Sequence, residues 1–262
     1  MTDFQNALQF VHDSLARLRE EGVKMRASQT SLEMLRRPAQ TPVNKPATNV
    51  KQAGGSDKEA RMNPLRDRAL VCVKCPHLAA SRTQVVFGVG NLNAELMFVG
   101  EAPGADEDLQ GEPFVGKAGQ LLTKIIETMG FARADVYIAN VLKCRPNMPV
   151  GESGNRKPTV TEMETCLPYL REQIEIIQPR VLVALGAVAM EGLLAAVEPM
   201  HKLRGRWHDF HGIPLRATYH PAYLLRNQTL GERRKVWEDM LLVLERLGKT
   251  VTEKQRSHFL PK

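Results

Sequence analysis

Phe4, Leu8, Val11, Leu15 and Leu18 recur at helical spacing among polar and charged neighbours, which predicts a short amphipathic helix within residues 4–24. From residue 37 to about residue 63 the pattern vanishes. Pro, Thr, Asn, Gln, Lys and Gly dominate there, and the stretch is expected to be a flexible linker because it has too little apolar surface to bury. Beyond it, apolar runs at residues 96–99, 136–141, 181–185 and 215–219 read as strands buried on both faces. Helical periodicity at residues 118–129, 161–177, 187–196 and 232–247 separates and follows them. Strand alternating with helix predicts an α/β domain, a three-layer α/β/α sandwich around a central four-stranded parallel sheet. The expected organisation is residues 1–62 as helix plus linker, 63–250 as the domain, and 251–262 as a C-terminal tail.

Ligands of open parallel sheets bind beyond the carboxyl ends of the strands. Here those ends bring Gly100, Glu101, Asn140 and His220 to one rim, with Lys143, Cys144 and Arg145 just beyond Asn140. A carboxylate, an amide and an imidazole therefore converge. The loop after the first strand, GEAPGADED at residues 100–108, runs through GEPFVGKAG at residues 111–119. A dinucleotide fingerprint fails, because Gly88 and Gly90 precede the strand, and a phosphate-binding P-loop fails for want of Gly-Lys-Ser/Thr. What remains is a loop whose backbone can approach a flat ligand, followed by Phe114. An aromatic beside hydrogen-bonding groups suits the reading of an extruded nucleic-acid base.

Composition narrows the setting. A hydrophobic fraction of 43% supports a packed core, and 36 Lys and Arg against 29 Asp and Glu give a formal charge of +7, compatible with a polyanionic partner. No basic segment leads into an apolar one at the start, and no apolar run approaches the roughly 20 residues that span a bilayer. A cytoplasmic protein without membrane association is expected, so the four cysteines should be thiols or metal ligands and not disulfides. Cys72 and Cys75 form a CxxC clamp, while Cys144 and Cys166 are widely spaced, unlike the paired knuckles of a zinc ribbon. Spacing alone leaves open an iron–sulfur cluster, zinc, or buried free thiols.

Taken together, GEAPGADED, GEPFVGKAGQLL, YIANVLKCRP, VLVALGAVA and TYHPAYLLRN, in order from about residue 72 to residue 239, resemble the family 4 uracil-DNA glycosylases. The resemblance implies a uracil-DNA glycosylase-like fold and a monofunctional enzyme of base excision repair. Such an enzyme flips uracil from single- or double-stranded DNA and hydrolyses its N-glycosidic bond. The implied setting is a monomer in the nucleoid. Carried over by position, Cys72, Cys75, Cys144 and Cys166 match the ligands of a structural [4Fe–4S] cluster. Gly100 and Phe114 match the uracil pocket, with Phe114 stacking on the base. Asn140 matches the amide that reads the uracil edge, and His220 the histidine near uracil O2. Leu224, Leu225 and Arg226 match the loop that probes DNA, and Glu101 and Asn155 match positions at the sugar side.

Two departures stand out. The link between Cys144 and Cys166 carries an extra run at residues 148–154 that loosens the register of Asn155. It contains no histidine and no basic cluster of the kind with which a related subgroup traps the sugar, so ordinary turnover is expected. Glu101 is followed by Ala102, where some other uracil glycosylases carry an aspartate, so the obvious general base is missing. Two rival readings are a non-catalytic iron–sulfur nucleic-acid-binding module and a polymerase-associated copy of the fold. Intact Phe114, Asn140 and His220 argue against both.

Overall fold

A computed structural model of the chain describes residues 55–149, 151–152 and 154–260. The helix expected at residues 4–24 and most of the expected linker lie outside the described residues. In chain order the elements are α1 (Gly55–Leu70), α2 (Pro76–Ser81), β1 (Val89–Gly90), β2 (Leu96–Gly100), α3 (Ala105–Gln110), α4 (Lys117–Met129), a 3-10 turn (Arg133–Asp135) and β3 (Tyr137–Asn140). There follow α5 (Val160–Ile177), β4 (Val181–Leu185), α6 (Ala187–Leu194), α7 (Met200–Leu203), β5 (Trp207–Phe210), β6 (Ile213–Thr218), α8 (Pro221–Arg226), α9 (Leu230–Arg246) and α10 (Glu253–Ser257).

The sheet has six strands in the order β1-β3-β2-β4-β6-β5, not four. The strands expected from the apolar runs, β2, β3, β4 and β6, lie side by side and run parallel. The two additions, β1 and β5, are antiparallel edges. Alternate residues of each central strand feed opposite layers. Met97 and Val99 of β2 join Leu65 of α1, Leu170 of α5 and Met190 of α6 on one side. Leu96 and Phe98 join Leu122 of α4 and Trp237 of α9 on the other. Burial on both faces is why these runs are continuously apolar.

Two boundaries differ from expectation. The linker does not reach residue 63, because helix α1 begins at Gly55. Its polar composition conceals a narrow stripe, Met62, Leu65 and Ala69, that is buried in the core. Lys58 fastens the same helix through Nζ to the carbonyls of Leu92 and Ile177. The segment after residue 250 belongs to the domain as well. Val251 and Phe259 pack on the α4–α9 layer, and Arg234 holds the carbonyls of Arg256 and His258.

Beneath the end of β6 lies an ionic knot around the fully enclosed Asp239. Asp239 of α9 accepts bonds from Arg216 Nε and Nη2 at 3.0 and 2.7 Å, Arg204 Nε at 2.8 Å and Thr218 Oγ1 at 2.7 Å. All four come from the segment that leads to His220. Among the described residues no helix is long and apolar enough to cross a membrane.

Candidate active site

The site begins at the register between β2 and β3, which pairs Gly100 with Asn140. Gly100 has to lack a side chain. A Cβ there would stand 2.4 Å from Asn140 Oδ1 and 2.5 Å from Phe114 Cζ, so the amide and the ring meet directly over this glycine. Asn140 is 2% exposed, and its Oδ1 is buried with no hydrogen-bond partner among the described residues. An unpaired buried oxygen costs about 1–3 kcal/mol, an expense that a donor on a bound ligand removes.

Phe114 is buried beside it in a left-handed backbone conformation, φ +55°. That conformation costs a residue with a Cβ about 1–2 kcal/mol. Glu107 receives the turned amides: Val115 N and Gly116 N each lie 3.0 Å from Oε1, and Gly104 N lies 3.1 Å from Oε2. The Phe114 ring lies 5.5 Å from the His220 ring, centroid to centroid, at 32°.

His220 is the N-cap of α8, and its Nδ1 accepts from Ala222 N at 3.1 Å. A neutral ring whose Nδ1 accepts carries its proton on Nε2. Burial pushes the imidazole down to about 4, helped by the positive charge of Arg226 and opposed by Glu107. The ring is therefore a neutral donor at physiological pH. As the pH falls, the unfolded chain takes up this proton first, near 6.5, while the folded ring resists until about 4. Stability is thus untouched by this group above pH 7, and falls through that window by up to about 3 kcal/mol. Urea unfolding at pH 7 and pH 4.5 should show a larger loss in the native protein than in His220→Gln. Equal losses would place the titrating group elsewhere.

Glu101 follows Gly100 at the end of β2. Burial raises its carboxyl above the usual range, Lys157 opposes the shift, and Glu191 adds to it. Asn155 is exposed over the Gly104 turn, its Nδ2 3.4 Å from where a Gly104 Cβ would stand. Arg156 holds that loop. It donates to the Asn147 carbonyl at 2.7 Å and to Glu162 at 2.6 and 2.9 Å. Pairing with Arg156 and His77 holds the Glu162 carboxyl down at about 2.

In α8, Leu224 is 5% exposed and packs beside α4, whereas Leu225 is 37% exposed and Arg226 is exposed as well. The structure thus separates the expected DNA-probing trio. Leu224 anchors the helix, and Leu225 and Arg226 are the members that face outward.

None of the four cysteines forms a disulfide, and all four border one core layer. A charge on Cys72 would disfavour ionisation of Cys75, Cys144 and Cys166 alike, so the four share one neighbourhood. Burial pushes the Cys166 thiol up to about 12. Donors already aim at two sulfurs, Arg82 Nη1 at Cys144 Sγ (3.1 Å) and Lys143 N at Cys166 Sγ (3.2 Å). Among the described residues no three His, Cys, Asp or Glu side chains are close enough to hold a single metal ion. N–H donors thus reach two of the four sulfurs, a contact that suits thiolate ligands of an iron–sulfur cluster.

The sequence placed Lys143 just beyond Asn140 but gave it no role. It is 1% exposed, with Nζ donating to the Asn140 carbonyl at 2.9 Å and to Gln173 Oε1 at 2.6 Å. Burial pushes its ammonium down to about 8. It ties the residue over Gly100 to α5, the helix that carries Cys166. Glu107 was also missed, although its place in the first turn of α3, aimed back at Gly104 N, is a readable capping signal.

The family model for the uracil DNA glycosylase superfamily matches residues 87–241, from just before β1 into α9. The chain belongs to the uracil DNA glycosylase superfamily. Among curated relatives, the type-4 uracil-DNA glycosylase of Thermotoga maritima is 45% identical over 188 residues, covering 70% of this chain and 93% of that one. The type-4 uracil-DNA glycosylase of Archaeoglobus fulgidus is 44% identical over 169 residues, 62% of this chain and 81% of that one. The superfamily match spans Gly100, Phe114, Asn140 and His220 together with Cys144 and Cys166. Cys72 and Cys75 precede it.

Proposed function

We propose that the protein is a uracil-DNA glycosylase of the iron–sulfur type, which hydrolyses the bond between uracil and deoxyribose. The observation that carries this reading is the buried, unpaired Oδ1 of Asn140 over Gly100, flanked by Phe114 and a neutral His220. A uracil stacked on Phe114 offers N3–H to that oxygen and O4 to the amide nitrogen. Cytosine has no N3–H and carries an amine in place of O4, so it leaves the same amide mismatched.

His220 Nε2–H donates to uracil O2, where negative charge grows as the N1–C1′ bond lengthens. The electron pair of that bond leaves with the base, and water bonds to C1′. One proton of the water goes to solvent, and the uracil anion regains a proton on release. Glu101 and Asn155, at the sugar side of the Gly104 turn, orient the water. Ala102 contributes nothing to this, having no polar side chain. Leu225 and Arg226 meet the DNA where the base leaves. As part of the same proposal, the protein works as a cytoplasmic monomer on single- or double-stranded uracil-containing DNA, a partner favoured by its formal charge of +7.

Cys72, Cys75, Cys144 and Cys166 would hold a [4Fe–4S] cluster, which supplies a structural clamp between the CxxC segment, the strand end after Asn140, and α5. Anaerobically purified protein should absorb broadly near ~400 nm and contain about four iron atoms per chain. Stoichiometric zinc without iron would overturn the cluster. Release of uracil from a labelled oligonucleotide tests the activity. Iron-loaded, folded protein that releases none would overturn it.

A polymerase-associated, inactive copy would have no use for the unpaired Asn140 oxygen. A purely DNA-binding module would not need a neutral, half-buried histidine beside an aromatic face.

A further inference from the structure

Phe114 has the least comfortable backbone in the site, and it is gripped from three sides. On its carboxyl side, the amides of Val115 and Gly116 converge on one oxygen of Glu107, each at 3.0 Å. On its amino side, Arg133 Nη2 donates to the Pro113 carbonyl at 2.6 Å. The same guanidinium is steadied by Thr123 Oγ1 of α4, which accepts from Nη1 at 3.0 Å. The third side is Gly119, where a Cβ would fall 1.8 Å from the Phe114 carbonyl oxygen. The loop can lie this close to α4 only because that side chain is missing.

We propose that Glu107 and Arg133 are a pair of positioning residues for base stacking: they clamp the peptide groups on either side of Phe114 and so hold its ring at the pocket over Gly100. Two successive amides reach one carboxylate oxygen when the chain turns through the left-handed conformation that Phe114 adopts. Releasing Glu107 frees those amides, and Phe114 relaxes toward an ordinary φ that swings its ring off the pocket. Arg133 prevents the compensating rotation of the preceding peptide. Glu107 comes from the first turn of α3 and Arg133 from the 3-10 turn before β3, so the ring is set by two elements that flank it in sequence. The inference rests on the reading of the site as a uracil pocket.

The test is a pair of double-mutant cycles on single-turnover uracil excision. Glu107→Gln puts an amide donor where the carboxylate received only donors, and Arg133→Met removes the donor to Pro113. Each should slow excision about tenfold in the native background, within the range of one base–aromatic stack. In a Phe114→Ala background each should slow it less than about twofold further, because no ring remains to be placed. Arg133→Lys, which keeps one donor for the carbonyl, should recover most of the rate. Melting temperature and iron content serve as controls. If Arg133→Met does not fold, the Glu107→Gln cycle, with its near-isosteric change, decides alone. Equal losses with and without Phe114 would overturn the inference and leave the activity intact. Native protein that releases no uracil would instead overturn the reading of function.

Discussion

Replacing His220 by Ala should slow single-turnover uracil excision by about 10²- to 10³-fold, the usual cost of removing one preorganised donor from a developing anion. The geometry makes the loss hard to replace. Nδ1 is committed to the Ala222 amide, so Nε2 carries the only ring proton, and burial keeps the imidazole neutral. A neutral donor does not surrender its proton to the leaving group, and it stabilises the anion without placing a buried cation in the empty pocket. Binding to an uncleavable uracil-DNA analogue should weaken far less, because phosphate contacts dominate affinity. Parallel measurement of excision and binding separates the two effects. Native-rate excision by the variant would move the anion-stabilising site away from the end of β6.

Asn140→Asp should also lower uracil excision by about 10²-fold or more, for a different reason. The buried amide offers a donor to O4 and an acceptor to N3–H, and the carboxylate removes the donor. It also introduces a charge into a position 2% exposed. An acceptor in place of the donor suits the exocyclic amine of cytosine, so weak cytosine release should appear. Assays on matched uracil and cytosine oligonucleotides read both changes. Unaltered uracil excision would remove Asn140 from base recognition.

The four central strands were legible because burial on both faces leaves runs such as residues 181–185 without a polar interruption. Strand β5, Trp207-His208-Asp209-Phe210, was not. An edge strand with one face half-exposed lacks that signature. Helix α1 was hidden for a related reason, since only its Met62, Leu65 and Ala69 stripe faces the core and the rest reads as linker. In the site, residue types pointed to Asn140 and His220 because their chemistry sits at strand ends, and to Phe114 because an aromatic follows the glycine-rich loop after β2. Lys143 carries no such mark. A lysine is ordinarily solvated, and only the fold reveals that its ammonium ends inside, on Asn140 and Gln173. Leu224 shows the opposite limit, in that two adjacent leucines look equivalent until helix α8 turns one inward.

The knot around Asp239 constrains how this protein can change over generations. Its carboxylate is fully enclosed and satisfied by Arg204, Arg216 and Thr218, which lie along the segment carrying His220. Losing one charged partner strands the other in the interior at about 3–5 kcal/mol, a large share of the roughly 5–15 kcal/mol that holds a domain folded. Replacing the whole set with well-packed apolar side chains carries no such penalty. Single steps away from the present arrangement are therefore steeply uphill, while a concerted exchange is not. Lineages that keep one member of the set should keep all of them, and a library built to vary the support of His220 has to vary these positions together.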